Sequence, residues 1–424
     1  MLDEIYKCKL TVQFLKNGPL GPFLEDLLSI FLEKGYLKNK LKNRITVIIK
    51  LCKWLSDTKI ELCDLDDQKI KDFIIYRSKQ INMKQKGEIV TIRTLVQLLQ
   101  SKGIIPTTKN QAINNGINKE IETVIENYSK YLINERGLST SSISHYTHYT
   151  RYFLYKLYGV NPISLNKITI IDVNNFFLKH FDTGKSHLVV TSLIPTLRSF
   201  FRFLFLDKKI SINIASAIQP CANLKNAGLP YFLSQKELDH LIKICKCRES
   251  NSKLRNYAIL LLLSRIGLRA CEVQRLTFND IDWKNGEIII KGKGNKKSRL
   301  PLLTEIGEAL ASYIKNERPL CSSRQVFITS RPPIKPLSNS TSISCIVKRA
   351  LKRANLSPMK KGSHLLRYTF ATDCLRRGIS LLDIGEILRH QHIDTTVIYA
   401  KVDFVKLQSI TKMWPEKSYM EGEV

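Results

Sequence analysis

The chain has 424 residues, too many for one ordinary core and enough for two or three domains. Its formal net charge is +30, from 67 Lys and Arg against 37 acidic residues spread over the whole length; that excess must face solvent or a polyanion, and nucleic acid is the expected partner. Ten scattered cysteines exclude a disulfide scaffold, and the opening Met1-Leu2-Asp3-Glu4 is unlike a signal peptide.

The close pair Cys245 and Cys247 fits neither a zinc knuckle nor a thioredoxin-type motif, and the thiols are expected to be buried in a reducing cytoplasm. The best apolar run, Ala258 to Leu263, is far too short to cross a bilayer, so no membrane partner is expected.

From the N-terminus, residues 1–105 read as a helical arm domain. Gly35, Trp54, Leu65, Ile70 and Phe73, with Leu95, Leu98 and Leu99, find counterparts roughly 100 residues later at Gly137, Leu157, Ile168, Val173 and Phe176, with Leu197, Phe200 and Phe201. Order and most spacings agree to within one residue, which predicts two small all-helical units of four or so helices. Amphipathic helices share one apolar period, so a chance match is the alternative. Lys38, Lys40, Lys42 and Arg44 suit a DNA backbone or a solvated helix face. Residues 106–118, with Pro106, paired threonines, asparagines and Gly116, have the composition of a linker.

Residues 119–207 form the second unit, a helical DNA-binding domain by composition. It mixes rings with basic and hydroxyl groups in His145, Tyr146, His148, Tyr149, Arg151 and Tyr152. Ser139, Thr140 and Ser141 open a helix whose hydroxyls and free amides suit phosphates, so Ser139, Thr140, Ser141, His145, Tyr149 and Arg151 are candidate DNA contacts. A helix cap and a ring-filled core account for the same residues equally well. Residues 208–232, punctuated by Pro220, Gly228 and Pro230, are a second linker, long enough to let two domains sit on opposite sides of a duplex.

A third domain spans residues 233–412. Ser234-x-x-Glu237 gives a capping box ahead of Leu238, Leu241 and Ile242. An apolar helix from Tyr257 to Ser264 ends near Gly267, and Arg269 opens a short helix with Glu272 and Leu276. Asn285-Gly286 marks a turn into a strand from Glu287 to Ile290, and after the tight turn at Gly292 to Asn295 a strand from Ser298 to Leu302 returns. Lys293 therefore sits at the tip of a small antiparallel sheet. Helices resume from Glu305 to Lys315 and from Ser342 to Ala354.

After Gly362, His364 and Arg367 are one helical turn apart and share a face. An apolar helix-period run through Leu381, Leu382, Ile384, Ile387 and Leu388 leads to His390, and Tyr399 follows. Cations and imidazoles gathered near a phenol point to chemistry on a phosphate, with the phenol as candidate nucleophile. Each residue alone has a plainer reading: Tyr399 is one of 16 tyrosines, Lys293 a turn lysine, His390 a helix C-cap and Arg269 a surface cation. Beyond Tyr399, Val402, Phe404, Val405, Leu407 and Ile410 predict an amphipathic helix, and residues 413–424 a polar tail.

Ile266-Gly267-Leu268-Arg269 with Glu272, then Gly292-Lys293-Gly294, His364-x-x-Arg367, Leu388-x-His390 and Tyr399 resemble, in order and spacing, the catalytic domain of the tyrosine recombinases. That family includes phage integrases and bacterial chromosome-dimer recombinases. The likeness covers about residues 233–412, and residues 119–207 resemble, by pattern alone, the family's SAM-like core-binding domain.

The resemblance implies a mainly α fold with a small antiparallel β-sheet in the catalytic domain, in a multidomain C-shaped clamp on double-stranded DNA. It implies Tyr399 as the nucleophile of a 3′-phosphotyrosyl intermediate and Arg269 and Arg367 as the clamp on the phosphate oxygens. Lys293 becomes the general acid for the 5′ oxygen, His364 and His390 handle the tyrosine proton, and Glu272 orients its neighbours. No metal and no ATP are implied, because the bond energy is kept in the phosphotyrosine. A homo-tetramer on DNA, or a hetero-oligomer with related recombinases, is implied, with the C-terminal segment docked on the adjacent protomer. The expected location is cytoplasmic and nucleoid-associated.

Three departures stand out: Arg389 where the family usually has glycine, Ile266 where threonine is common, and Tyr368 where histidine is frequent. The expected function is a site-specific recombinase, integrase or mobile-element transposase. A type IB topoisomerase-like enzyme and a non-catalytic DNA-binding accessory factor are the alternatives on the same fold. The tandem arm favours recombination over relaxation, and the intact six-residue set argues against a binding-only protein.

Overall fold

In the computed structural model, residues 2–5, 9–80, 86–105, 118–182, 187–219, 231–247, 252–292, 297–390 and 396 are described. They are mainly helical with one small antiparallel sheet, which is the fold class expected. The expectations for Lys293, Tyr399, the C-terminal helix and tail, and residues 106–117 and 220–230 of the two linkers lie outside the described residues, while the start of the second linker departs from the expectation by forming a short helix, Ile214–Ala217, with Ile210, Ile214 and Ile218 buried in the core. No helix among the described residues is long and apolar enough to cross a membrane.

In chain order the helices are α1 (Leu2–Ile5), α2 (Lys9–Asn17), α3 (Gly21–Glu33), α4 (Lys38–Asp57), α5 (Asp67–Gln80), α6 (Lys86–Ser101), α7 (Lys119–Asn134), α8 (Thr140–Tyr158), α9 (Ile170–Asp182), α10 (His187–Leu206) and α11 (Ile214–Ala217). Then follow α12 (Gln235–Cys247), α13 (Lys253–Arg265), α14 (Ala270–Arg275), the strands β1 (Ile281–Asp282), β2 (Glu287–Lys291) and β3 (Lys297–Pro301), and α15 (Thr304–Asn316), α16 (Ser340–Arg353), α17 (Ser363–Arg376) and α18 (Leu381–Ile387). The chain divides into two compact units, residues 50–224 and residues 1–49 with 225–424.

In the unit of residues 50–224, α10 is the hub, packing on α7, α8, α9 and α11. Leu193, Leu197, Phe200, Phe201 and Leu204 recur at helical spacing along it and are all buried. The core they enter is built from rings. Tyr128 meets Phe200 edge-on with centroids 5.2 Å apart, and Phe153 meets Phe176 at 5.0 Å. Such pairs add roughly 0.5–1.5 kcal/mol beyond the area they bury.

The same order of elements occurs twice along the chain. In one stretch α3 is followed by Gly35 at φ +81°, α4, a 3₁₀ turn at Leu62–Asp64, α5 and α6. In the other α7 is followed by Gly137 at φ +54°, α8, a 3₁₀ turn at Leu165–Lys167, α9 and α10. A left-handed residue at both junctions is why glycine stands there. Leu65 and Ile168 each close their 3₁₀ turn by donating to its first carbonyl, and both are buried, as are Phe73, Phe176, Leu99 and Phe201. Leu157 is only half-buried where Trp54 is buried.

The other unit is organised on α13, which packs against α12, α14, α15, α16 and α17. Ala258 to Leu263 are each fully buried, so the middle of this helix is apolar on every side. Its first turn is capped from a distance: the Glu317 carboxylate accepts from the Leu254 and Arg255 amides at 2.7 and 3.2 Å. The capping box at Ser234 forms, with the Ser234 amide donating to Glu237 at 2.8 Å. The Leu233 amide donates to Thr369 Oγ1 on α17 at 2.9 Å, which ties the start of the domain to the helix carrying His364 and Arg367. Residues 1–49 join this unit where the Ile334 amide donates to the Lys34 carbonyl at 3.0 Å.

The strands pair antiparallel in the order β1-β2-β3, with Ile288 opposite Leu300 and Lys291 opposite Lys297. The Asn285-Gly286 turn is held by the Asp282 carboxylate, which accepts from the Lys284 and Asn285 amides at 3.1 and 3.0 Å, and Gly286 takes φ +64°. The expectation of buried thiols needs correction, because Cys63 and Cys247 are exposed while Cys245 and Cys374 are buried. Two residues along a helix is about 200° of rotation, so Cys245 facing the core turns Cys247 outward.

Glu317→Ala should release the first turn of α13, speeding amide exchange at Leu254 and Arg255 and lowering stability by about 1–2 kcal/mol. Unchanged exchange at those two amides would contradict the capping role.

Candidate active site

The site begins where α13 runs out. Gly267 turns the chain at φ +62°, and a Cβ there would lie 2.7 Å from Phe370 Cδ1 and 2.8 Å from Leu388 Cδ2. Only glycine allows both that backbone and that approach. The turn delivers Arg269 to the start of α14, where Glu272, three residues on, reaches back to accept the Arg269 amide at 2.8 Å and its Nη1 at 2.9 Å.

Arg367 projects from α17 and is 3% exposed. Its Nη1 donates to the Gly267 carbonyl and its Nη2 to the Leu388 carbonyl, each at 2.5 Å. One guanidinium thereby joins the turn after α13, the helix α17 and the turn after α18.

His364, one turn before Arg367, is exposed. Loss of surrounding water and the charges of Arg367 and Arg269 push its pKa below the ordinary histidine value. His390 is pushed down to about 4 by burial and by Arg367, Arg269 and Arg389. His390 is therefore neutral at pH 7, and the same two arginines act on both rings, which brings four of the six expected catalytic residues into one electrostatic neighbourhood. His390 Nδ1 lies 2.6 Å from Thr396 Oγ1, and a Cβ at Gly385 would come within 3.1 Å of that hydroxyl. Gly385 thus keeps room for the buried threonine that fixes the ring.

Arg389 takes φ +55° and places its guanidinium on Glu272, Nη2 to Oε2 at 2.8 Å, while its own carbonyl accepts from Arg269 Nη2 at 3.0 Å. Burial would raise the Glu272 carboxyl, but Arg389 and the hydrogen bonds and charge of Arg269 outweigh it and hold the group below the usual range. Neither the Arg389–Glu272 pair nor the Thr396 hydroxyl was legible as part of the site from spacing alone. The one available signal was an arginine where glycine is usual.

Lys293 and Tyr399 lie outside the described residues. The strands that flank Lys293 end in the pair Lys291 and Lys297, and Lys291 is anchored on Asp280 at 2.8 Å. In the other unit, Ser139 caps α8 by accepting the Ser142 amide at 3.4 Å, and Ser139, Thr140, Ser141 and His145 are exposed. The His145 and Tyr149 rings meet edge-on at 4.7 Å. Arg151 is held by the Glu122 carboxylate, with Nε and Nη2 each 2.8 Å from an oxygen, so its charge is already partnered.

Residues 231–406 match the model of the phage integrase family, and residues 125–208 match that of the phage integrase N-terminal SAM-like domain. A putative integrase/recombinase, y4rA of Sinorhizobium fredii, is 30% identical over 402 residues, 94% of this chain and 95% of that protein. The chain belongs to the phage integrase family of tyrosine recombinases. The tyrosine recombinase XerC of Pediococcus pentosaceus is 31% identical to this recombinase over 301 residues, 70% of this chain and 99% of XerC. Among solved structures, the XerH site-specific recombinase bound to its palindromic difH substrate shares the fold, with a TM-score of 0.52, 21% identity, and coverage of 81% of this chain and 94% of that one.

Two outcomes test this geometry. Gly267→Ala should cost about 2–4 kcal/mol, from a left-handed residue that acquires a Cβ and from overpacking against Phe370 and Leu388; wild-type unfolding midpoints would refute it. An imidazole neutral when folded but with a pKa of about 6.5 when unfolded stabilises the fold fully above that pH, and the contribution is lost as pH falls from there toward about 4. The decline in stability over that window should be shallower in His390→Asn, and an identical slope would show that the ring is not held neutral.

Proposed function

We propose that this recombinase cuts and rejoins duplex DNA at specific sites through Tyr399. The Tyr399 oxygen attacks the scissile phosphorus, the P–O5′ bond breaks, the phenolic proton passes to a neutral imidazole, and Lys293 gives a proton to the departing 5′ oxygen. Religation runs the same steps backwards with a 5′-hydroxyl as nucleophile. A phenol has a pKa of about 10, so the attack needs a base and a positive field, and the transition state carries charge that fixed guanidinium donors stabilise.

The observation that carries this reading is that Arg269 and Arg367 donate to the adjacent carbonyls of Arg389 and Leu388, which sets both guanidiniums at the turn that leads into His390. Two guanidiniums beside two imidazoles whose pKa values are lowered suit a bound phosphate and a proton acceptor in one place. Nδ1 of His390 is engaged by the Thr396 hydroxyl.

Residues 119–207 serve in this proposal as the core-binding domain and residues 1–105 as a second helical arm, supported by the shared order of elements and the matching left-handed glycines. The exposed start of α8 lies along the DNA backbone, with Arg151 contributing through Glu122 to the packing of α7 on α8 rather than as an open charge. The working form is a tetramer on DNA, with the C-terminal segment docked on a neighbouring protomer, in the nucleoid of the cytoplasm.

On a nicked suicide duplex carrying the ends of its element, the protein should form an adduct that survives denaturation. Tyr399→Phe should abolish the adduct and leave salt-dependent DNA retention intact. Equal adduct from the variant would assign the nucleophile elsewhere.

A further inference from the structure

We infer that Arg389 is a positioning residue for Arg269: its guanidinium takes up the Glu272 carboxylate, so that Arg269 keeps its charge for the scissile phosphate. The inference rests on the reading above that Arg269 binds that phosphate.

The cluster holds two guanidiniums and one carboxylate. Glu272, 3% exposed at its side chain, accepts from the Arg269 amide and Nη1 and from Arg389 Nη2 at 2.8 to 2.9 Å. Without Arg389, the buried carboxylate would be balanced by Arg269 alone, and an anion approaching Arg269 would meet a neutral pair. With Arg389 present the three groups carry one net positive charge. Arg269 is the member open to solvent, at 31% side-chain exposure against 10% for Arg389, so the excess charge is presented on the side a phosphate can reach.

The main chain of Arg389 also holds the Arg269 fork. Arg269 Nη2 donates to the Arg389 carbonyl at 3.0 Å while Nη1 lies on Glu272, which fixes the plane of the guanidinium at two points. A carbonyl at that place needs only a main chain, and a glycine would supply it. What glycine cannot supply is the side chain.

The side chain is retained against several unfavourable features. A non-glycine residue at φ +55° is strained by about 1–2 kcal/mol, the guanidinium is largely withdrawn from water, and its Nε is buried without an acceptor. Backbone economy alone would favour glycine here. An arginine that bears strain, desolvation and an unsatisfied donor together is held for its charge at Glu272.

The test uses the full-length protein and follows the rate of covalent adduct formation on a nicked duplex, with DNA retention and thermal unfolding measured alongside. Arg389→Gly should slow adduct formation at least about tenfold, as expected for neutralising one unit charge a few ångströms from the reacting phosphate, with retention little changed. Arg389→Lys should recover part of the rate, and Glu272→Gln combined with Arg389→Gly, which restores one net positive charge, should be faster than Arg389→Gly alone. Removing a cation beside His390 should also move the acid limb of the rate profile of Arg389→Gly to higher pH, which a change in folding alone would not do. An Arg389→Gly enzyme as fast as wild type would overturn the inference, as would a double variant no faster than Arg389→Gly. Absence of any adduct from the wild-type protein would instead remove the phosphotyrosyl reading, and this inference with it.

Discussion

The catalytic unit depends on where one guanidinium comes to rest. Arg367 is buried, and its two terminal nitrogens donate to carbonyls 100 residues before it and 21 residues after it. A buried charge of this kind is tolerated only when its donors are met, so the turn at Gly267 and the turn at Leu388 cannot drift apart without stranding it. Arg269 and His390 are the residues those two turns carry. Their mutual placement therefore follows from a hydrogen-bonding obligation of a third residue, and the site is assembled when α17 docks.

Around that anchor the electrostatics are arranged so that the cations stay charged and the pKa values of the rings are lowered. Arginine does not surrender its proton in such surroundings, while imidazole, with a reference pKa near 6.5, does so readily once water is removed and positive charge is close. The same field that suits a phosphodiester thus also prepares a proton acceptor. Glu272 would weaken the field if it faced Arg269 alone, and the sequence departure at Arg389 answers that local imbalance. Thr396 and Gly385 complete the arrangement by fixing the ring of His390.

Much of this was legible from the residues. The capping box at Ser234, the turn at Asn285-Gly286, the paired strands and the face shared by His364 and Arg367 are local features, written within a few residues of one another and decided by short-range sterics and hydrogen bonds. The helix boundaries moved by only a few residues: α13 begins four residues before the expected Tyr257, and β3 begins one residue before the expected Ser298. What could not be read were the partnerships across long stretches of chain. Glu317 capping α13, Thr369 holding Leu233, and Arg389 meeting Glu272 each join positions whose proximity exists only after folding. Arg151 shows the same limit from the other direction, since a basic residue on a ring-rich face looks open until Glu122 is found beside it. The exposed Cys247 shows that composition assigns a residue type to the interior more readily than a helix face does.

The claim on which the rest turns is that burial, together with the single positive site made by Arg269 and Arg367, lowers the proton affinity of His364 and His390 until a phosphate arrives. The most direct measurement is an NMR titration of the histidine rings in the full-length Tyr399→Phe protein, free and bound to duplex, with His364→Asn and His390→Asn variants for assignment. The account predicts two rings that titrate below the ordinary histidine range in the free protein, His390 lowest, both moving upward when the duplex places its phosphate between the arginines. Two rings that titrate at about 6.5 and do not respond to duplex would contradict it.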